Sequence, residues 1–141
     1  MRIMAIDYGD ARTGVAISDP TGLLAGFTTV INAYRPDRVT GQIALLAKEH
    51  RVERLGLGHP INMDGTRGPR SEKAQAMRQL LKETTGLPVV LWDERRTTID
   101  AHQILMSSGK NAKKRKKVVD AVAASLILEG YLTYLKTHPE G

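Results

Sequence analysis

At 141 residues, with 41% hydrophobic and 26% charged residues, the chain is long enough for one domain with a substantial core. No apolar run reaches the length of a membrane span, and the four apolar residues before Asp7 are too few for a signal peptide. The absence of cysteine excludes disulfides, thiolate metal sites and cysteine nucleophiles.

The net charge of +6 is concentrated: six of the 21 basic residues lie in residues 110–117 (KNAKKRKK), and the other 15 equal the 15 acidic residues. A cytoplasmic protein with no membrane partner is expected. Its one basic run is either a solvated loop or a footprint for nucleic acid or another polyanion.

The chain opens with an apolar run, Ile3 to Ile6, that ends on Asp7-Tyr8-Gly9; a short polar turn then leads to a second apolar run, Val15 to Ile17. These read as strands over 2–8 and 13–18, too close in sequence for anything but a hairpin. Asp19-Pro20-Thr21-Gly22 is a strong turn, and a third antiparallel strand follows over 23–31. Pro36-Asp37 starts a helix whose stripe Val39, Ile43, Leu46 and Ala47 runs towards His50, weakened locally by Gly41. A fourth strand over 54–58 ends at His59-Pro60, and a glycine-rich loop over 62–70 (NMDGTRGPR) follows.

A helix over 71–85 turns Ala74, Met77, Leu80 and Leu81 inward and closes at Gly86. The fifth strand, 88–92, runs directly into Asp93-Glu94-Arg95-Arg96. Thr97 caps a further helix to about 108, with Asp100 as its box partner. The basic loop comes next, then a last helix over 117–135 and a frayed tail over 136–141. Three meandering strands and two reached by helical crossovers make an α/β protein: one domain over 1–135 with a mixed five-stranded sheet flanked by helices. Ribonuclease H-like folds have this order.

Three carboxylates stand in unusual places. Asp7 ends a buried strand, Glu94 lies just past the fifth strand, and Asp120 is the only charge between Lys117 and Glu129. Each has an ordinary explanation alone: a turn-forming carboxylate, an ion pair with Arg95, and a favourable charge near a helix N-terminus. Together, converging ends of the first strand, the fifth strand and the last helix would form a repelling trio that a hard divalent cation relieves. Their spacing of 87 and then 26 residues carries no local metal signature.

The segments IDYGDARTGVA, GHPINMDGTRGPR, WDERRTT and VVDAVAASLIL, in that order, resemble the successive motifs of the YqgF family. Its members are ribonuclease H-like proteins described as Holliday-junction resolvases and as nucleases maturing the pre-16S ribosomal RNA end. Asp7, Glu94 and Asp120 fall on the family's three acidic positions. The resemblance implies Mg²⁺ or Mn²⁺, two ions with substrate bound, and a phosphodiester substrate in RNA or branched DNA. Asp7 would then bridge the ions, with Glu94 and Asp120 each holding one side.

Arg12, Arg70, Arg95, Lys113, Lys114, Arg115, Lys116 and Lys117 are the expected nucleic-acid contacts. The chain departs from the family pattern at Arg96, where leucine is expected, and at Asp10, where a small residue is expected.

His59 lies at the rim of this arrangement, where a structural role is the ordinary reading, and Trp92 reads as core before it reads as a base-stacking platform. Two other functions compete: a non-catalytic nucleic-acid-binding module, which would not need the acidic trio, and an ATPase of the actin and hexokinase type, which needs two related domains. No P-loop motif is present. Monomer and homodimer are both compatible with the sequence.

Overall fold

In the computed structural model, which describes residues 1–9, 11–19, 21, 25–59, 68–93 and 112–138, the opening meander is formed by Ile3–Tyr8 (β1), Arg12–Ser18 (β2) and Ala25–Asn32 (β3). Arg54–His59 (β4) adds to the free side of β1 in parallel, and Val89–Asp93 (β5) adds in parallel to β4. The sheet order is β3-β2-β1-β4-β5, so β1 is central and β5 is an edge strand separated from it by β4. The two parallel additions are reached through Pro36–Glu49 (α1) and Pro69–Thr85 (α2), as a parallel connection requires. Ala112–Thr137 (α3) is the last helix. This is the expected mixed five-stranded α/β sheet. The helix expected over 97–108 lies outside the described residues.

Strand alternation sorts the core into two faces. Met4 and Ile6 of β1, Val15 and Ile17 of β2 and Leu55 and Leu57 of β4 pack with Val39 and Ile43 of α1 and Ala74, Met77 and Leu81 of α2. On the opposite face Ile3, Ala5, Ala16 and Trp92 pack with Ala124, Ile127, Leu128, Tyr131 and Leu132 of α3. The α3 residues recur at three- and four-residue intervals, the apolar stripe of a helix lying on a sheet.

Three boundaries differ from expectation. The first is the basic run: Lys113 to Lys117 belongs to the opening turns of α3, which begins at Ala112, and is not a loop. Lysine, arginine and alanine are all good helix formers, and no glycine or proline interrupts the chain between Gly109 and Gly130. The second is the start of α2 at Pro69, before Ser71, so that Arg70 is helical. Proline suits a first turn because its missing N–H has no intrahelical partner there. The third is the end of α3 at Thr137, two residues inside the segment expected to fray.

Helix α2 ends on Gly86 at φ 70°, as expected for a glycine C-cap. Helix α1 closes in the same way on Arg51, at φ 55°, with the Val52 N–H donating to the Ala47 carbonyl at 2.8 Å. Among the described residues no helix is long and apolar enough to cross a membrane.

Candidate active site

Asp7 is the second-last residue of β1 and is half-buried. By alternation it shares the face of Ile3 and Ala5, the face covered by α3. Its antiparallel partner on β2 is Gly14. On the other side, the β1–β4 register runs to Ile6↔Leu57, and the next step brings Gly58 level with Asp7. The carboxylate therefore has a residue without a side chain on each flank.

The turn behind Asp7 is equally constrained. A Cβ at Gly9 would overlap the Arg12 carbonyl oxygen, so only glycine permits the return into β2. That turn delivers Arg12, half-buried, to the same face as Gly14 and Asp7.

Asp120 lies in α3, four residues before Ala124, which is fully buried against the sheet. Its backbone thus continues the sheet-facing stripe by one turn towards the N-terminus. α3 packs across β1, β2 and β3, so the helix that carries Asp120 covers the strands that carry Asp7 and Arg12. β5 ends at Asp93, immediately before Glu94. Glu94, Arg95, Arg96 and Asp10 lie outside the described residues, as do 62–67 of the expected loop. Lys113, Lys114, Arg115, Lys116 and Lys117 occupy the first turns of α3. Arg70 is exposed in the first turn of α2, a helix of the opposite face.

His59 is not on the rim of this face. It alternates with Leu55 and Leu57, is 6% exposed, and its Nε2 lies 2.6 Å from the Ser71 Oγ in α2. The same alternation, visible in the string RLGLGH, could have assigned His59 to the α2 side from sequence. Trp92 is core, as expected: it is 5% exposed, its ring centroid is 5.7 Å from those of Tyr131 and Tyr134, and a Cβ at Gly130 would meet its ring at 3.2 Å. The glycines on either side of Asp7 are absent from the sequence-based expectations, although the glycine–apolar alternation in β2 and β4 signals a face stripped of side chains.

No group of three His, Cys, Asp or Glu side chains able to hold a metal occurs among the described residues, which include only one of the three proposed ligand side chains, that of Asp7. The donor set does fit a hard cation: three carboxylates, no sulfur and no imidazole.

Residues 1–134 match the model of the RuvX family, described as Holliday junction resolvase. A Halothermothrix orenii protein is 46% identical over 134 residues, covering 95% of this chain and 96% of its own length. A Bacillus subtilis protein is 43% identical over 137 residues, covering 96% and 99%. Both are provisionally named as pre-16S rRNA nucleases.

Among solved structures, Thermus thermophilus RuvC in complex with a Holliday junction superposes with a TM-score of 0.63 at 16% identity, over 95% of this chain and 96% of that one. The Fowlpox virus resolvase bound to Holliday junction DNA superposes with a TM-score of 0.51 at 10% identity, over 98% and 99%. At these identities the two structures speak for the fold alone, which is ribonuclease H-like. The full-length family match and the two relatives carry the assignment: the chain belongs to the RuvX (YqgF) family of nucleases, hydrolases acting on phosphodiester bonds.

Proposed function

We propose that the chain is a divalent-metal-dependent endonuclease acting on structured nucleic acid, with Asp7, Glu94 and Asp120 holding Mg²⁺ or Mn²⁺. One observation carries this reading: a half-buried carboxylate stands next to the end of the central strand, opposite Gly14, on the face covered by the helix that bears Asp120. Three such carboxylates converging without counter-charge would repel, and at least one would have to keep its proton. Divalent ions remove that conflict and, when bound, supply activation of the attacking water and charge stabilisation at the leaving oxygen.

The protein's own part is placement. Asp7 sits on the central strand of the five, held by β2 on one side and β4 on the other. Gly14 and, one register step on, Gly58 flank it without side chains of their own. Arg12 brings a guanidinium to the same face, suited to a phosphate oxygen. Lys113, Lys114, Arg115, Lys116 and Lys117 set a block of positive charge on the first turns of α3, where the helix dipole is also positive. They would hold the nucleic-acid backbone and make binding salt-dependent. Arg70 and Arg95 are further phosphate contacts, and residues 1–135 act as one nuclease domain.

RNA is the favoured substrate, because relatives at 46% and 43% identity bear pre-16S rRNA nuclease names. Branched DNA is the second reading, favoured by the family description. Paired symmetric cuts in a junction call for a homodimer, whereas trimming an RNA end needs only a monomer.

Cleavage of precursor rRNA and of a four-way DNA junction, assayed side by side with Mg²⁺ and with Mn²⁺, separates the two. Asp7→Asn is expected to lower cleavage of the true substrate by about three orders of magnitude, the several kcal/mol that metal catalysis supplies. Binding of that substrate should persist. Undiminished cleavage by Asp7→Asn would refute the proposed site.

A further inference from the structure

We infer that His59 and Ser71 are positioning residues for the acidic end of β5, acting from beneath the sheet on the strand end that Glu94 follows. The inference rests on the reading of Glu94 as a metal-holding carboxylate.

β5 is an edge strand, and β4 is its one strand neighbour. The last paired residues of the two strands are His59 and Asp93, register partners on adjacent parallel strands, about 4.8 Å apart in the hydrogen-bonding direction. Within the sheet, the end of β5 is thus only as well fixed as the end of β4.

The end of β4 is tied down by a buried polar contact on a largely apolar face. His59 Nε2 and Ser71 Oγ are 2.6 Å apart, both residues are buried, and the shared face includes Leu55, Leu57, Val89, Leu91 and the inward residues of α2, with Asp93 beside His59 by register and alternation. Ser71 is itself held in place: its N–H donates to the Gly68 carbonyl at 3.0 Å, and its Oγ accepts from Gln75 Nε2 at 3.3 Å. A buried, hydrogen-bonded polar pair of this kind fixes the relative position of the elements it joins. Here those elements are the end of β4 and the first turn of α2. A metal-holding carboxylate must be placed within a few tenths of an ångström, and it gains that accuracy from supporting hydrogen bonds behind it. His59 and Ser71 supply such support one strand away, on the face of the sheet opposite Asp7.

The test is Mn²⁺ binding to the full-length protein, read from the electron paramagnetic resonance signal of free Mn²⁺, for the parent, Asp7→Asn, Ser71→Ala, His59→Phe and His59→Gln. Removing the hydrogen bond in Ser71→Ala, or in the volume-filling His59→Phe, should raise the Mn²⁺ dissociation constant about tenfold, within the range of lost metal-supporting contacts. His59→Gln retains an amide able to bond Ser71 and should return the constant to within about threefold of the parent.

Dissociation constants within twofold of the parent for both Ser71→Ala and His59→Phe would overturn the inference. Equal weakening in His59→Gln would overturn it too, because packing alone would then be the cause. If His59→Phe fails to fold, Ser71→Ala still decides, since it deletes one oxygen. Unchanged binding in Asp7→Asn would instead show that the carboxylate reading itself is wrong, and the inference would fall with it.

Discussion

The two faces of the sheet are built to opposite rules. The face under α1 and α2 presents Met4, Ile6, Val15, Ile17, Leu55 and Leu57, all large or branched and all essentially inaccessible. The face under α3 presents, between Ile3 at one end and Arg12 at the other, Ala5, Asp7, Gly14, Ala16, Gly56 and Gly58 at the alternate positions of the same three strands. Large side chains fill the space beneath two helices and make a scaffold. Small ones let a single helix settle close to the strands: a Cβ at Gly56 would stand 3.1 Å from the Tyr131 ring, and one at Gly130 would stand 3.2 Å from Trp92. Close approach is what the proposed metal site needs. A carboxylate on α3 can share an ion with a carboxylate on β1 only if helix and strand are near enough for both short side chains to reach it. On the proposed reading, the difference between the faces is a division of labour, with stability on one side and chemistry on the other.

The contrast can be broken deliberately, and the largest effect is expected on the scaffold face. Leu57→Ala leaves a cavity in the α1/α2 core and should cost about 2–5 kcal/mol of stability by urea denaturation. Cleavage per folded molecule should stay close to the parent value. Next comes Gly56→Val, the residue before it on the opposite face. Its methyls have no room beneath Tyr131, and overpacking should cost about 1–3 kcal/mol. Here the turnover of the folded fraction should also fall, because α3 is displaced and Asp120 with it. Equal effects of the two substitutions on specific activity would remove the distinction between the faces. The smallest effect is a gain: Gly41 lies inside α1, and a Cβ added there would meet nothing within 4 Å. Gly41→Ala should therefore add about 0.5–1 kcal/mol without altering cleavage.

Much of this division can be read from the strings themselves. After Ile3 and Arg54, the strings IMAID, TGVAIS and RLGLGH alternate large with small, and the alternation puts Asp7 on the small face and His59 on the large one. The meander, the two crossovers and the position of Asp7 at a strand end follow from short-range patterns: apolar runs, turn residues and helical periodicity.

The features that short-range patterns miss have physical reasons. The run Lys113 to Lys117 carries no apolar period, so it resembles a loop, yet its residues have high helical propensity and continue α3 without a break. Arg51 holds a left-handed conformation where glycine is the usual choice, and nothing in Glu49-His50-Arg51 signals it. It arises because the chain must reverse from α1 into β4, and the Val52 N–H to Ala47 carbonyl bond stabilises that reversal. The His59–Ser71 contact joins residues 12 apart through a buried face, a pairing that exists only once β4 and α2 are docked.

The convergence of the acids on the α3 face is tested most directly by the anomalous diffraction of Mn²⁺ soaked into crystals of the protein. Mn²⁺ is expected within direct coordination distance of an Asp7 carboxylate oxygen, with Glu94 and Asp120 completing the protein ligands. Mn²⁺ bound away from Asp7, or an Asp7 carboxylate that coordinates no ion at saturating Mn²⁺, would contradict that convergence.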